Sequence, residues 1–216
     1  MKNVKALFID CDGVLYDKKE CTDEDITTVG LGKTLAEYNL FLDEFDEIHA
    51  KLKKNKIRGF FNAVLALCQR HDIEFAEFAQ KLVNNINYRR ISKDLELLDL
   101  LKKVKLPVYI VTNNTRVHVE KIFAYLKGGV PFKDVQKELG VKFVAIEDTL
   151  KDGIFHSKKM ENMLTELCAQ SGLKPEEVLL LDDSENVYKV ALAQGLQAYL
   201  ISSPKETKEI LRGFIA

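Results

Sequence analysis

The sequence predicts an α/β fold, a doubly wound parallel sheet with an all-helical subdomain inserted after its first strand. Three observations predict it. Short, nearly continuous apolar runs recur along the chain, as strands buried on both faces require. From the second run onward they alternate with stretches of helical periodicity, the pattern of a parallel sheet covered by helices. Between the first and second runs, residues 17–90 contain no proline, no strand pattern and repeated helical spacing.

Strands are expected at Val4–Ile9, Pro107–Thr112, Val141–Ile146, Val178–Leu181 and Gln197–Ile201. Helices are expected at Arg116–Leu126, Lys159–Gln170, Glu185–Ala193 and Lys205–Arg212, with another at Asp94–Lys103 leading into Pro107. In the insert, Phe41, Phe45, Ile48 and Leu52 recur at helical spacing. So do Phe60, Val64, Leu67 and Cys68, and then Phe75, Phe78, Ala79 and Leu82. Three or four amphipathic helices are therefore expected there. The chain divides into a core, residues 1–16 and 91–216, and a helical insert, residues 17–90. The basic run Lys51, Lys53, Lys54, Lys56 and Arg58 surrounds a turn expected at Asn55. It reads either as a solvated helix face or as a positive lip for a phosphorylated substrate.

The bulk properties fit this division. A chain of 216 residues, 46% hydrophobic and 30% charged, holds one generous domain or a core with a smaller insert. A formal net charge of −1 gives no overall field favouring a nucleic-acid polymer or an anionic membrane. No apolar run reaches the roughly 18 residues needed to span a bilayer. The apolar run Ala6–Ile9 is too short for a signal-peptide core, so a cytoplasmic protein is expected. Cys11, Cys21, Cys68 and Cys168 form neither a CxxC pair nor a zinc-ligand cluster and read as reduced, structural thiols.

The candidate chemistry lies at the ends of the apolar runs. Ala6-Leu7-Phe8-Ile9-Asp10-Cys11-Asp12-Gly13 delivers two carboxylates at a strand end, followed by a glycine that permits a turn. Ligands of open α/β sheets bind outside the carboxyl ends of the strands. An i, i+2 pair there can meet one hard cation, one residue through its side chain and the other through its carbonyl. The alternative is a solvated Asp-rich turn. Val108-Tyr109-Ile110-Val111-Thr112-Asn113-Asn114-Thr115 ends another strand in small polar residues before a helix. The Thr112 hydroxyl and nearby backbone N–H groups would cradle a phosphate, although Thr115 could serve only as an N-cap.

Val178-Leu179-Leu180-Leu181-Asp182-Asp183-Ser184 ends the fourth strand in adjacent carboxylates. A divalent cation relieves the repulsion of such a buried pair; alternatively, Asp183 or Ser184 caps the next helix. A lysine at Lys158 or Lys159 precedes these aspartates and could be a plain surface residue. Together the four segments supply a nucleophile, a metal site, a phosphate cradle and a balancing cation, the parts of a phosphoryl-transfer site.

On these residues the sequence resembles the haloacid dehalogenase superfamily. Asp10-Cys11-Asp12-Gly13-Val14-Leu15 is similar to its first motif and Thr112-Asn113 to its second. Asp182-Asp183-Ser184-Glu185-Asn186-Val187 is similar to its fourth, in the form with paired aspartates. The third, a lysine often followed by proline, appears here as His156-Ser157-Lys158-Lys159-Met160. Family spacing favours Lys158, and the missing proline leaves Lys159 open. The resemblance implies a Rossmann-like core with a helical cap between motifs one and two. Ile57-Arg58-Gly59 in that cap, the Ile-Val-Thr-Asn form of motif two and the Asp-Asp-Ser…Asn-Val segment resemble the pyrimidine 5′-nucleotidase group.

The resemblance implies a magnesium-dependent phosphomonoester hydrolase. Asp10 would be the nucleophile, Asp12 the acid and base, and Lys158 the balancing cation. Magnesium would be held by the Asp10 carboxylate, the Asp12 carbonyl and Asp183, with Asp182 close by. Thr112 and the Asn113 backbone would grip the phosphoryl oxygens, and Arg58 would meet the rest of a small phosphorylated metabolite such as a nucleoside monophosphate. Superfamily dehalogenases lack the second aspartate and the ion-pumping ATPases replace it with threonine, so Asp12 favours phosphoester chemistry. The rivals are a sugar-phosphate or phosphoglycolate phosphatase, a phosphomutase, and a catalytically silent binding protein.

Overall fold

The computed structural model describes residues 3–131, 135–160 and 162–215. The chain opens with β1 (Ala6–Ile9) and then enters helices. A π-helical stretch at Asp25–Gly30 runs into α1 (Leu31–Glu37), followed by α2 (Leu42–Lys54), α3 (Phe60–Arg70) and α4 (Phe75–Asn84). A 3-10 turn at Tyr88–Arg90 and α5 (Leu95–Lys103) lead to β2 (Val108–Val111), α6 (Arg116–Leu126), α7 (Val135–Leu139) and β3 (Val141–Val144). A hairpin, β4 (Leu150–Lys151) and β5 (Ile154–Phe155), precedes α8 (Met163–Gln170). Then come β6 (Val178–Asp182), α9 (Glu185–Ala193), β7 (Gln197–Leu200) and α10 (Pro204–Arg212).

Five strands form one parallel sheet in the order β3-β2-β1-β6-β7. Strand order reverses between β1 and β6, which is where such sheets bind ligands. The strands β1, β2 and β6 are buried throughout, so both faces must be apolar. Leu7, Ile9, Ile110 and Leu181 face one hydrophobic cluster, whereas Phe8, Tyr109, Val111 and Leu180 face the other. The first cluster continues into the inserted helices through Phe45, Phe61, Leu67, Phe78 and Leu82. On the same side Thr207 of α10 donates to the Val14 carbonyl at 2.9 Å and braces the loop after β1.

The expected parallel sheet and its flanking helices are present, with four differences of detail. The third strand stops at Val144, and Ile146–Thr149 turns as a 3-10 helix instead of extending it. The helix expected from Lys159 begins at Met163, because Asn162 has a left-handed φ of 68° that a right-handed helix cannot accommodate. Phe41 does not share the packed face of Phe45 and Ile48; it is the N-cap position of α2 and 74% exposed. The β4–β5 hairpin was not foreseen, although Asp152-Gly153, with φ of 53° and 78°, is the dipeptide that a tight two-residue hairpin turn favours. Among the described residues no helix is long and apolar enough to cross a membrane.

Candidate active site

The site is built where β1 and β6 end side by side. Asp10 follows β1, and its N–H donates to the Leu181 carbonyl at 2.9 Å, which fixes the two strand ends together. Its Oδ1 accepts from the Cys11 N–H at 2.7 Å and lies 2.7 Å from the Lys158 ammonium. Its Oδ2 has no protein partner among the described residues. No fully buried side-chain nitrogen or oxygen there lacks a partner, so this oxygen opens to solvent.

Asp182, the last residue of β6, is completely buried. Its Oδ1 accepts from the Ser184 N–H at 2.9 Å, and its Oδ2 accepts from Lys158 at 2.6 Å. Asp183 is partly exposed and lies 3.4 Å from Lys18. A cleft of about 230 Å³ opens beside it, lined by Gly13, Asp17, Lys18, Ser202 and Pro204 among others.

Asp10, Asp182 and Asp183 each offer a carboxylate oxygen within 4.8 Å of the others. Burial pushes the Asp10 carboxyl well above the usual carboxylate range; Lys158 opposes this, while Asp182 and Asp12 add to it. Burial would lower the Lys158 ammonium, but Asp10 and Asp182 beside it hold it above its ordinary value. One lysine does not neutralise three converging carboxylates, and a hard divalent cation fits that donor set. Gly13 shapes the same space. It has a φ of 76°, and a Cβ there would stand 2.6 Å from Asp183 Oδ2, so only glycine lets the carboxylate approach.

Asp12 sits in a different environment. Its Oδ1 accepts from the Tyr16 hydroxyl and, at 2.9 Å, from His118 Nε2. Its Oδ2 accepts from the Asn114 amide at 2.9 Å. Burial alone would raise this carboxyl, but the His118 imidazole and the hydrogen bonds from His118, Tyr16 and Asn114 hold it well below the usual range. Two carboxyl groups two residues apart are thus pushed in opposite directions by their surroundings.

The second segment is tied into the same site. Thr112 is buried, and its hydroxyl oxygen accepts from the Asn114 N–H at 3.0 Å, leaving the O–H free to donate. The Asn113 side chain accepts from the Lys158 N–H at 2.9 Å and holds the lysine loop against the site. Thr115 caps α6, accepting from the His118 N–H. Lys158 is 1% exposed and reaches both aspartates, whereas Lys159 is exposed. Ser184 is the N-cap position of α9 and makes no side-chain capping bond. Cys11 is buried in the core, and all four cysteines are free.

Arg58 is exposed at the start of α3, and its side chain meets no partner among the described residues. Its backbone is nevertheless tied to the core. Asn62 donates to the carbonyls of Arg58 and Phe155, both at 3.0 Å, and accepts from the Phe155 N–H at 2.7 Å.

Tyr16, Tyr88, Asn114 and His118 were not singled out in the sequence. The available signal was His118 itself, a polar residue on the apolar stripe of Val119, Ile122, Phe123 and Leu126, one turn into the helix after Thr112.

Comparison with known proteins agrees with this geometry. No curated protein matches the sequence. Several solved structures share the fold. A HAD family enzyme of Bacteroides thetaiotaomicron, in its magnesium complex, is 20% identical, with 98% of this chain and 100% of that chain covered and a TM-score of 0.55. The magnesium-bound HAD-hydrolase YfnB of Bacillus subtilis is 18% identical, with 98% and 100% covered and a TM-score of 0.54. CbbY of Rhodobacter sphaeroides, in complex with phosphate, is 17% identical, with 90% and 84% covered and a TM-score of 0.54. A CbbY mutant in complex with xylulose-(1,5)bisphosphate aligns with a TM-score of 0.53. At these identities the likeness speaks for the fold. The family description "haloacid dehalogenase-like hydrolase" matches residues 4–195, nearly the whole chain. The chain belongs to the haloacid dehalogenase-like hydrolase family.

Proposed function

We propose that this hydrolase cleaves phosphomonoesters through an aspartyl-phosphate on Asp10. The observation that carries the reading is the pair of unequal carboxylates. Asp10 presents an unpartnered oxygen beside Lys158, and Asp12 is held in place two residues away by Tyr16, His118 and Asn114. Asp10 Oδ2 attacks phosphorus, the P–O ester bond breaks, and the departing oxygen takes a proton from Asp12. Water then attacks phosphorus, giving a proton back to Asp12 while the acyl-phosphate bond returns its electron pair to Asp10. The depressed Asp12 carboxyl suits the second step; for the first, the negative charge of bound phosphate raises it.

Lys158 offsets the charge on Asp10 and phosphate, and the Thr112 hydroxyl with the Asn113 backbone holds the phosphoryl oxygens. Magnesium would be held by the Asp10 carboxylate, the Asp12 carbonyl and Asp183, with Asp182 near, and would supply neutralising charge to the site. The helices of residues 17–90 act as a cap whose surface selects the rest of the substrate.

Two substrate classes have support. Ile57-Arg58-Gly59 favours a pyrimidine nucleoside monophosphate, with the guanidinium meeting base or ribose. The likeness to CbbY, a variant of which was solved with a sugar bisphosphate, favours a sugar phosphate. The test is turnover, with magnesium and with excess chelator, on uridine and cytidine monophosphates, a sugar phosphate and 4-nitrophenyl phosphate. Magnesium-dependent turnover that disappears in a folded Asp10→Asn variant is expected; near-normal activity in that variant would sink the mechanism. A loss confined to the nucleotides in Arg58→Ala supports the nucleotidase reading. Equal losses on all esters, or none, remove it.

A further inference from the structure

A carboxylate has about four acceptor positions, two on each oxygen. On Asp12 three are occupied. The Tyr16 hydroxyl and His118 Nε2 take both positions on Oδ1, and the Asn114 amide takes one on Oδ2. One lone pair remains, on Oδ2. The carboxylate can only accept, so His118 Nε2 must carry the hydrogen. On the other side of the ring, Nδ1 lies 2.8 Å from the Tyr88 hydroxyl. Tyr88 and His118 are both 1% exposed, and the Tyr88 ring also packs against the His118 ring, with centroids 5.5 Å apart. The imidazole therefore has its orientation fixed from behind.

We propose that His118, oriented by Tyr88, is a positioning residue that fixes Asp12 and selects Oδ2 as the oxygen that passes the proton. The inference rests on the phosphomonoesterase reading and adds to it the identity of the proton-carrying atom. As Asp10 attacks, the ester P–O bond breaks and its electron pair goes to the leaving oxygen. The proton on Asp12 Oδ2 moves to that oxygen, and Asp12 is left as a carboxylate. If His118 is lost, Oδ1 is freed on one side, the carboxyl group turns about its Cβ–Cγ bond, and Oδ2 no longer faces the leaving group.

Leaving groups differ in their need for that proton. An alkoxide is a poor leaving group and needs it; 4-nitrophenolate leaves with little help. A defect in aiming the acid must therefore discriminate between esters, whereas loose packing of the site damages both alike. The experiment measures kcat/KM, which reports the first chemical step, for 4-nitrophenyl phosphate and glycerol phosphate with magnesium present. In His118→Ala a loss of roughly 100-fold on glycerol phosphate, against less than about tenfold on 4-nitrophenyl phosphate, is expected. His118→Gln, whose amide can donate from the place of Nε2, should restore much of the alkyl-ester rate. Tyr88→Phe removes only the hydroxyl behind the ring and should show the same discrimination at smaller size, which also covers an alanine variant that does not fold.

Equal losses on both esters in folded variants overturn the positioning role and leave the phosphatase reading standing. A wild-type protein that hydrolyses neither ester overturns that reading and this inference with it.

Discussion

Lys158 places its whole ammonium between two carboxylates, 2.7 Å from Asp10 and 2.6 Å from Asp182, with 1% of the side chain exposed. Removing one partner of a buried ionic group leaves the others uncompensated, at a cost of about 3–5 kcal/mol. Lys158→Ala should therefore lose turnover and fall in stability together, whereas Lys159→Ala should stay within about 0.5 kcal/mol of wild type with normal rates. Initial rates and urea denaturation of the two variants check this, and a harmless Lys158→Ala would refute the assignment. Neighbouring lysines look alike in a sequence without the expected proline. What separates them is Asn113, whose side chain grips the Lys158 N–H from 45 residues away. Tyr16, Asn114 and His118 were hidden for a related reason. Each is an ordinary polar residue until the loop after β1 and the segment after β2 converge at Asp12. Asp10, Asp12, Asp182 and Asp183 were legible because paired carboxylates at the end of a buried strand are costly without a counter-charge.

At the scale of elements, the strands of the sheet were readable because burial on both faces leaves an unbroken apolar run, as in Leu179-Leu180-Leu181. The hairpin of β4 and β5 has two residues in each strand, too few for any periodicity to register. That small hairpin has an outsized place. Asn62 of α3 holds both backbone groups of Phe155 in β5, and three residues later the chain reaches Lys158. The Phe155 ring also packs 4.9 Å from that of Phe75 in α4. The inserted helices therefore bear directly on the segment that carries Lys158. Asn62→Ala strips a buried N–H and a buried carbonyl of their partners, at about 1–3 kcal/mol per unsatisfied group. Urea denaturation should show a loss of that order, and turnover should fall with it, because the lysine loop is no longer anchored. A variant of unchanged stability would show that water replaces the asparagine at no cost.

For the molecule as a whole, three carboxylates converging on one point are a source of repulsion that a bound cation removes. Magnesium should therefore stabilise the folded protein apart from any effect on rate. A ligand at a hundred times its dissociation constant contributes about 2.7 kcal/mol. The thermal midpoint should rise with magnesium and return to its starting value in chelator. Gly13→Ala, which drives a methyl group to 2.6 Å from Asp183 Oδ2, should abolish that rise. Identical midpoints with and without magnesium in the wild type would exclude the cation from this cluster. The architecture was legible in the alternation of strands and helices. The order of strands within the sheet was not, because the central strand β1 pairs with strands a hundred residues or more away, Leu7 with Val108 and with Leu179, and such pairing leaves no local mark.

The place of β1 has a consequence for synthesis of the protein. Leu7 pairs with Val108 on one side and with Leu179 on the other. On the ribosome β1 emerges before either of the strands that pair with it. Its second edge stays open until the chain has grown past Asp182. An unpaired apolar edge invites pairing with other chains, so the nascent polypeptide depends on chaperones or on rapid elongation through that interval. The strand that ends at Asp10 is for that reason also liable to misassembly. No catalytically competent fragment can form before its last aspartates are translated.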